Sequence, residues 1–277
     1  MAMRYGFQLP QVGGDIDGPG VIRFAQRLEA LGYHTLWAWH HVAIPREVRT
    51  PYPYSPSGEF ALAKMPNFLD NLHLLTFAAA VTQRIRLGTA ILNLAYLHPL
   101  AVAKALSTLD LLSGGRLTVG VAAGWLKEEF HALGIPFEER VPRARECLRI
   151  LVEVWTRDEP NFEGRFYRAV GIKASHRPVQ RHHPPILVGG HARRVFRWIA
   201  EFGAGWMAPS LSKEETALRV RELKEIVAAA GRDPGPLEVC AGAHLDILDR
   251  AQAGERKPFS GSAEQIAQDI VAYQKAG

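Results

Sequence analysis

Apolar residues fall at two different spacings along this 277-residue chain, and the alternation between them predicts a regular succession of strands and helices. Ile85 to Leu92 is an apolar, β-branched run of strand length, and Leu117 to Ala122 is a second. Neither alternates with polar residues as a one-sided sheet would, so both suit strands covered on two faces. Between them Val102, Ala105, Leu106, Leu109 and Leu112 recur at helical spacing. His98-Pro99 opens that helix with proline in the first turn, where its missing N–H costs nothing, and Ser113-Gly114-Gly115 closes it. Strand, helix and strand within about forty residues make one βαβ unit, the crossover that parallel pairing requires.

The same reading extends to both sides. Met3 to Leu9 is a first strand, Gly18-Pro19-Gly20 punctuates, and Val21 to Leu31 is a helix with Ile22, Ala25, Leu28 and Leu31 on its apolar face. Thr35 to Trp39 is a second strand ending in His40-His41. Periodicity then disappears from Ala43 to about Asp70, where Pro45, Pro51, Pro53, Pro56 and Pro66 forbid a long regular element. A loop of that length after a strand is expected to be a mobile lid, with Tyr52, Tyr54 and Phe60 shaping a substrate pocket. Arg143 to Trp155 reads as a helix, and Arg157 to Pro185 as a second insertion with a small hairpin at Phe162 to Tyr167. Ile186 to Val188, Trp206 to Ala208 and Leu237 to Leu248 supply three more strand regions. Helices Arg193 to Phe202 and Glu214 to Ala230 lie between them, and Ser262-Ala263-Glu264 caps a last helix that ends near Lys275. Seven strands alternating with helices predict an α/β fold, a (β/α)8 TIM barrel in a single domain 1–277 with insertions after strands 2 and 4. The chain reaches Ala276-Gly277 where an eighth strand would begin, so that strand is expected to be missing.

Composition narrows the class. Hydrophobic residues make up 47% and charged residues 22%, no apolar run is long enough to span a membrane, and MAMRYGFQLP has no signal-peptide pattern, so a cytoplasmic protein is expected. The formal charge of +5 comes from scattered arginines, which argues against nucleic acid and leaves room for an anionic small molecule. Cys147 and Cys240 are too few for a disulfide framework and read as packing residues.

Candidate chemistry gathers where strands end, the edge at which parallel α/β folds bind ligands. Strand three runs into Thr89-Ala90 and strand four into Ala123-Gly124-Trp125. Gly189-Gly190 lies between a strand and a helix, so its amides and the positive helix end could converge on a phosphate, although two glycines also serve simple turn chemistry. Arg193 could add charge there or be an ordinary exposed helix arginine. His40 and His41 point to opposite sides by strand alternation. Glu128 and Glu129 are expected to cap the helix that follows Trp125. His176, His182 and His183 lack metal-ligand spacing, and no metal site is expected. Ser113-Gly114-Gly115-Arg116 precedes strand four, the end associated with stability.

The wording LGTAILNLAYLHPLAVAKALSTLDLLSGGRLTVGVAAGWLKEEFHALG, with Pro136-Phe137 and Glu139-Arg140 after it, closely resembles the luciferase-like flavin and deazaflavin oxidoreductases, especially their coenzyme F420 branch. The likeness continues through Trp155-Thr156, Phe162 to Tyr167, Pro184 to Gly190 and Gly205-Trp206. It implies a cofactor phosphate on Gly189-Gly190 with Arg193 nearby, and a ring system bordered by Ala90, Ile91, Gly124 and Trp125. It also implies a cis peptide at Ala90–Ile91, and His41 beside the reactive ring carbon. The family pattern has Asp-His where this chain has His40-His41, so a role for His40 that needs a carboxylate is in doubt. A glutamate that serves as general acid in the sugar-phosphate branch is absent, since Ala123-Gly124-Trp125 stands there, which disfavours sugar chemistry. The resemblance implies an F420-dependent oxidoreductase, a homodimer as the family favours, moving a hydride between the deazaflavin and a small organic substrate. An FMN-dependent luciferase-like monooxygenase is the alternative, and a non-catalytic flavin-binding protein the second.

Overall fold

The computed structural model describes residues 3–276 apart from Pro56, Ser175, Ser210 and Glu255. The described residues separate into two compact bodies, one spanning Arg4–Leu187 and the other taking in Val188 onward together with Met3.

The first body alternates strands and helices: β1 (Gly6–Gln8), α1 (Gly18–Ala30), β2 (Thr35–Ala38), α2 (Asn71–Ala80), β3 (Arg86–Asn93), α3 (Pro99–Leu112), β4 (Leu117–Ala122), α4 (Lys127–Ala132) and α5 (Arg140–Thr156). Its four long-chain strands are parallel neighbours in chain order, with Gly6 opposite Thr35, Trp37 opposite Gly88 and Leu87 opposite Leu117. Leu36, Leu87, Leu92, Val119 and Val121 are buried in the sheet, and Leu75, Leu106, Leu148 and Trp155 are buried from the helices. Trp37 is the widest side chain of β2, and a Cβ on Gly6 or Gly88 would stand 2.2–2.3 Å from its indole. Both neighbouring strands therefore carry glycine where the indole lies across them. The second insertion supplies the expected hairpin, β5 (Phe162–Glu163) paired antiparallel with β6 (Arg168–Ala169).

Strand β7 (Ile186–Gly189) begins in the first body. The second body continues with α6 (Arg193–Phe202), β8 (Gly205–Ala208), α7 (Lys213–Ala229), β9 (Glu238–Ala241), β10 (Asp246–Ile247), β11 (Ser260–Gly261) and α8 (Ala263–Ala276). Strands β8 and β9 are parallel, with Trp206 opposite Val239. The principal sheet has seven strands in the order β1-β2-β3-β4-β7-β8-β9, which bears out the α/β class with parallel strands in chain order. Among the described residues no helix is long and apolar enough to cross a membrane.

Three local expectations are corrected. Gly18-Pro19-Gly20 does not precede α1 but forms its first turn, because Asp17 Oδ1 accepts from Gly20 N at 2.6 Å and Pro19 has no N–H to satisfy. Leu237 to Leu248 is not one strand region but two short strands, β9 and β10, with Gly242 in the interruption. Helix α2 was not expected, since NLHLLTFAAA is apolar around most of its circumference and shows no helical stripe. The stability reading of Arg116 is supported: its guanidinium donates to the carbonyls of Ala79, Thr82, Ile85 and Ser113.

Candidate active site

The end of β2 is extended by a side chain. Gln11, buried, accepts from Trp39 N at 2.7 Å and donates to Trp39 O at 2.8 Å and Leu69 O at 2.7 Å. A single amide thereby replaces strand pairing beyond β1 and fixes both the exit of β2 and the return of the long loop. His40 and His41 follow from that fixed point and engage different elements.

His40 is buried against the end of β3, where its Nδ1 accepts from Asn93 N at 3.2 Å and its carbonyl accepts from Asn93 Nδ2 at 3.1 Å. Burial pushes the imidazole down to about 4, against the opposing attraction of Glu129, so His40 is neutral at physiological pH. It is a strut for β3 and holds no proton to give there.

His41 turns toward α4, where its Nδ1 lies 2.7 Å from Glu129 Oε2. The Glu129 side chain is fully buried and His41 is 9% exposed. The carboxylate also accepts from Val42 N at 2.6 Å, Ala43 N at 3.1 Å and Tyr96 Oη at 3.0 Å. Burial alone would raise its pKa, but these contacts, led by His41, outweigh that cost and hold it below the usual carboxylate range. Tyr96 is pushed well above its ordinary value by burial and by the same carboxylate, so it remains a donor. An ionised acceptor on Oε2 assigns the proton of neutral His41 to Nδ1 and leaves Nε2 as the open nitrogen.

Glu128 and Glu129 do lie in the first turn of α4, at its positive end as expected, but their carboxylates turn to other partners and do not form a hydrogen-bonded cap. Leu126 occupies the cap position without a side-chain bond. Glu128 instead accepts from Arg49 N and Thr50 N, both at 2.8 Å, and from Thr50 Oγ1 at 2.7 Å. Two successive glutamates thus grip the loop after β2 at residues 42–43 and again at 49–50. Beyond that grip the loop aromatics close on Trp125: the Tyr52 ring lies 4.9 Å and the Phe60 ring 5.1 Å from it, with Tyr54 on Tyr52 at 5.3 Å. His41 borders the same cluster, 5.2 Å from Phe60, 5.4 Å from Phe68 and 6.4 Å from Trp125. Gly124 makes the turn possible. Its φ is +87°, and a Cβ there would meet the Phe130 ring at 2.9 Å.

At the end of β3 the Ala90–Ile91 peptide is cis, as expected, and the pairing with β4 shifts register between Thr89 and Leu92. Thr89 and Leu92 are fully buried while Ala90 and Ile91 between them are half-exposed. Gly189, Gly190 and Arg193 belong to the second body. Gly190 has φ +126°, and its carbonyl accepts from Trp206 Nε1 at 3.0 Å. Ala192 stands at the N-cap of α6 and makes no side-chain cap bond. Arg193 is exposed and pairs with Glu222 at 3.2 Å, the ordinary role of a helix arginine.

Of the residues gathered here, sequence reading singled out His41, Trp125 and the Ala90–Ile91 step, gave Glu129 another role, and passed over Tyr96, Asn93 and Gln11. The available signal for Glu129 was a doubled glutamate one turn past a Gly-Trp at a strand end. Its partners lie 33 to 88 residues earlier in the chain, beyond the reach of local rules.

Residues 4–258 match the family described as luciferase-like monooxygenase. An uncharacterized protein of Mycobacterium tuberculosis is 32% identical over 274 residues, which cover 98% of this chain and 96% of that protein. An F420-dependent glucose-6-phosphate dehydrogenase of Amycolatopsis mediterranei is 30% identical over 194 residues, 69% of this chain and 53% of that enzyme. An FMNH2-dependent dimethylsulfone monooxygenase of Pseudomonas putida is 34% identical over 155 residues, 55% of this chain and 42% of that enzyme. The solved coenzyme F420-dependent tetrahydromethanopterin reductase of Methanopyrus kandleri shares the fold, with a TM-score of 0.76 at 17% identity over 99% of this chain and 90% of that one.

Proposed function

From the premise that this chain belongs to the luciferase-like monooxygenase family, we propose that it is a coenzyme F420-dependent oxidoreductase moving a hydride between the deazaflavin and a small organic substrate. The observation that carries the reading is the His41–Glu129 pair. A secondary alcohol that loses a hydride must also lose its hydroxyl proton, and a carbonyl that gains one must gain a proton. His41 Nε2 is an open nitrogen suited to that transfer, and Glu129 fixes the opposite nitrogen.

Each body, taken by itself, carries a feature that such a cofactor could use. The half-exposed Ala90–Ile91 step, set between buried neighbours, offers a small apolar surface to a planar ring. The uncapped start of α6 beside Gly189-Gly190 offers amides to a phosphate. When bound, the deazaflavin would supply the carbon that gives or accepts the hydride. The protein's own part is narrower: Gln11 and Asn93 set the strand ends, Glu129 orients the imidazole, and Tyr52, Phe60 and Trp125 keep water from its surroundings.

A second reading, an FMN-dependent monooxygenase, is favoured by the Pseudomonas putida relative. Titrating the apoprotein separately with F420 and with FMN, followed by tryptophan quenching, discriminates the two. Saturable binding of F420 and weak or absent binding of FMN is expected. Binding of FMN alone would replace the proposal with the monooxygenase.

A further inference from the structure

The buried Glu129 carboxylate is filled to capacity. An ionised carboxylate offers about four lone-pair sites, two on each oxygen. Val42 N at 2.6 Å and Ala43 N at 3.1 Å take those of Oε1, while His41 Nδ1 at 2.7 Å and Tyr96 Oη at 3.0 Å take those of Oε2. Three of these donors belong to the consecutive residues 41–43 just past β2. Of the four, only Tyr96 reaches in from elsewhere, the short turn Leu94–Tyr96 that follows β3.

Packing holds the tyrosine there. Leu94 and Ala95 are buried, which anchors the turn at the strand end. The Tyr96 ring then meets the Phe130 ring edge-on at 4.6 Å, one residue past Glu129, and lies 6.0 Å from the His40 ring. Its hydroxyl is thereby delivered to the same oxygen that His41 uses. Two donors on one oxygen draw on the same electron density, so each bond is weaker than it would be alone. Burial and the neighbouring carboxylate keep the phenol protonated, so Tyr96 acts only as a donor.

We propose that Tyr96 is a positioning residue that tempers the His41–Glu129 hydrogen bond, and through it the electron density available at His41 Nε2. Without a second donor, Oε2 would pull harder on the Nδ1 proton. Density pushed into the ring would then make Nε2 a stronger base and a poorer acid. Sharing Oε2 with Tyr96 keeps the imidazole between those extremes, able both to take a proton at Nε2 and to return it. What that balance is used for rests on the function proposed above. The sharing itself involves neither cofactor nor substrate.

The test reads the nitrogen chemical shifts of His41 in the full chain labelled at histidine, without added cofactor, at a pH where Nε2 carries no proton. Detection through the carbon-bound ring protons keeps the signal visible even if the N–H exchanges fast, and His41→Gln assigns it. Tyr96→Phe keeps the ring and removes the donor, whereas a ring-fluorinated tyrosine placed at position 96 is a stronger donor than tyrosine. The Nδ1 signal should move downfield in the first and upfield in the second. Phe130→Leu loosens the packing of the Tyr96 ring but leaves its hydroxyl, and should shift the signal less than either. In urea, Tyr96→Phe should raise the unfolding constant by about tenfold, because one lone pair of a buried carboxylate is left open. Four results would each overturn the proposal: no Nδ1 movement in either donor variant, movement in the same direction in both, a Phe130→Leu shift as large as that of Tyr96→Phe, or an unchanged unfolding constant. Failure of F420 to bind would remove the proposed function alone, because this readout needs no cofactor.

Discussion

Replacing Glu129 by glutamine isolates what the buried carboxylate does. The substitution keeps shape and keeps one acceptor oxygen for the amides of Val42 and Ala43, at 2.6 and 3.1 Å. It turns the other oxygen, which faces His41 Nδ1 at 2.7 Å and Tyr96 Oη at 3.0 Å, into a donor. Two donors cannot face a donor, so Tyr96 must rotate its hydroxyl and His41 must move its proton to Nε2 so that Nδ1 can accept. The four bonds also lose their charge assistance, worth about 1 kcal/mol each, which predicts a loss of about 2–4 kcal/mol in stability. With Nε2 already protonated in the neutral imidazole, the nitrogen that should take a substrate proton is blocked, and turnover should fall by about 10²–10⁴. Urea denaturation measures the first effect, nitrogen chemical shifts of labelled His41 report the tautomer, and steady-state turnover with F420 measures the third. A Glu129→Gln protein that keeps the Nδ1–H tautomer and full turnover would refute the reasoning.

Three further outcomes are expected. Because the folded state holds His40 near 4 while the unfolded chain takes up its proton below about 6.5, unfolding is favoured as pH falls; stability is full above pH 6.5 and drops by about 1.4 kcal/mol per unit down to pH 4, or about 3 kcal/mol in all. His40→Asn should flatten that slope by about one proton in urea titrations at stepped pH, and an unchanged slope would assign the dependence elsewhere. Gly190→Asp should weaken F420 binding by more than about tenfold, by adding a negative charge beside the proposed phosphate. Since φ +126° strains any L-residue there, Gly190→Ala is the control, and equal losses in both variants would point to strain and not charge. Glu128→Ala should release the amides of Arg49 and Thr50, so that trypsin cuts after Arg46 and Arg49 about tenfold faster while global stability changes by less than about 1 kcal/mol; an unaltered cleavage rate would mean the loop is held by its aromatics alone.

What the sequence made legible and what it concealed divide along physical range. Pro99–Leu112, Leu117–Ala122 and Arg193–Phe202 were read to the residue, because period, proline and glycine signals all act within a few positions. Helix α2 escaped because burial on nearly all sides erases the stripe that reveals a helix. Glu129 was misassigned for a related reason. In the first turn of α4 it satisfies the local rule for an acidic helix start, and only folding brings His41, 88 residues earlier, against it. His40 and His41 looked interchangeable as neighbours. Their difference lies in what each meets, a backbone amide at Asn93 or a buried carboxylate on α4.

The paired grip of Glu128 and Glu129 also bears on how such a protein can change over generations. Both anchor points lie within the nine residues from Val42 to Thr50, and both are supplied by one dipeptide on a separate helix. The span from Pro51 to Leu69 therefore starts from a stub whose position does not depend on its own sequence. Between these anchors and the contacts that Phe60, Phe68 and Leu69 make, changes confined to the stretch around Tyr52 to Glu59 leave the hydrogen bonds that place His41 intact. On the proposed reading, substrate selection and retention of the chemistry would fall to different stretches of the same loop.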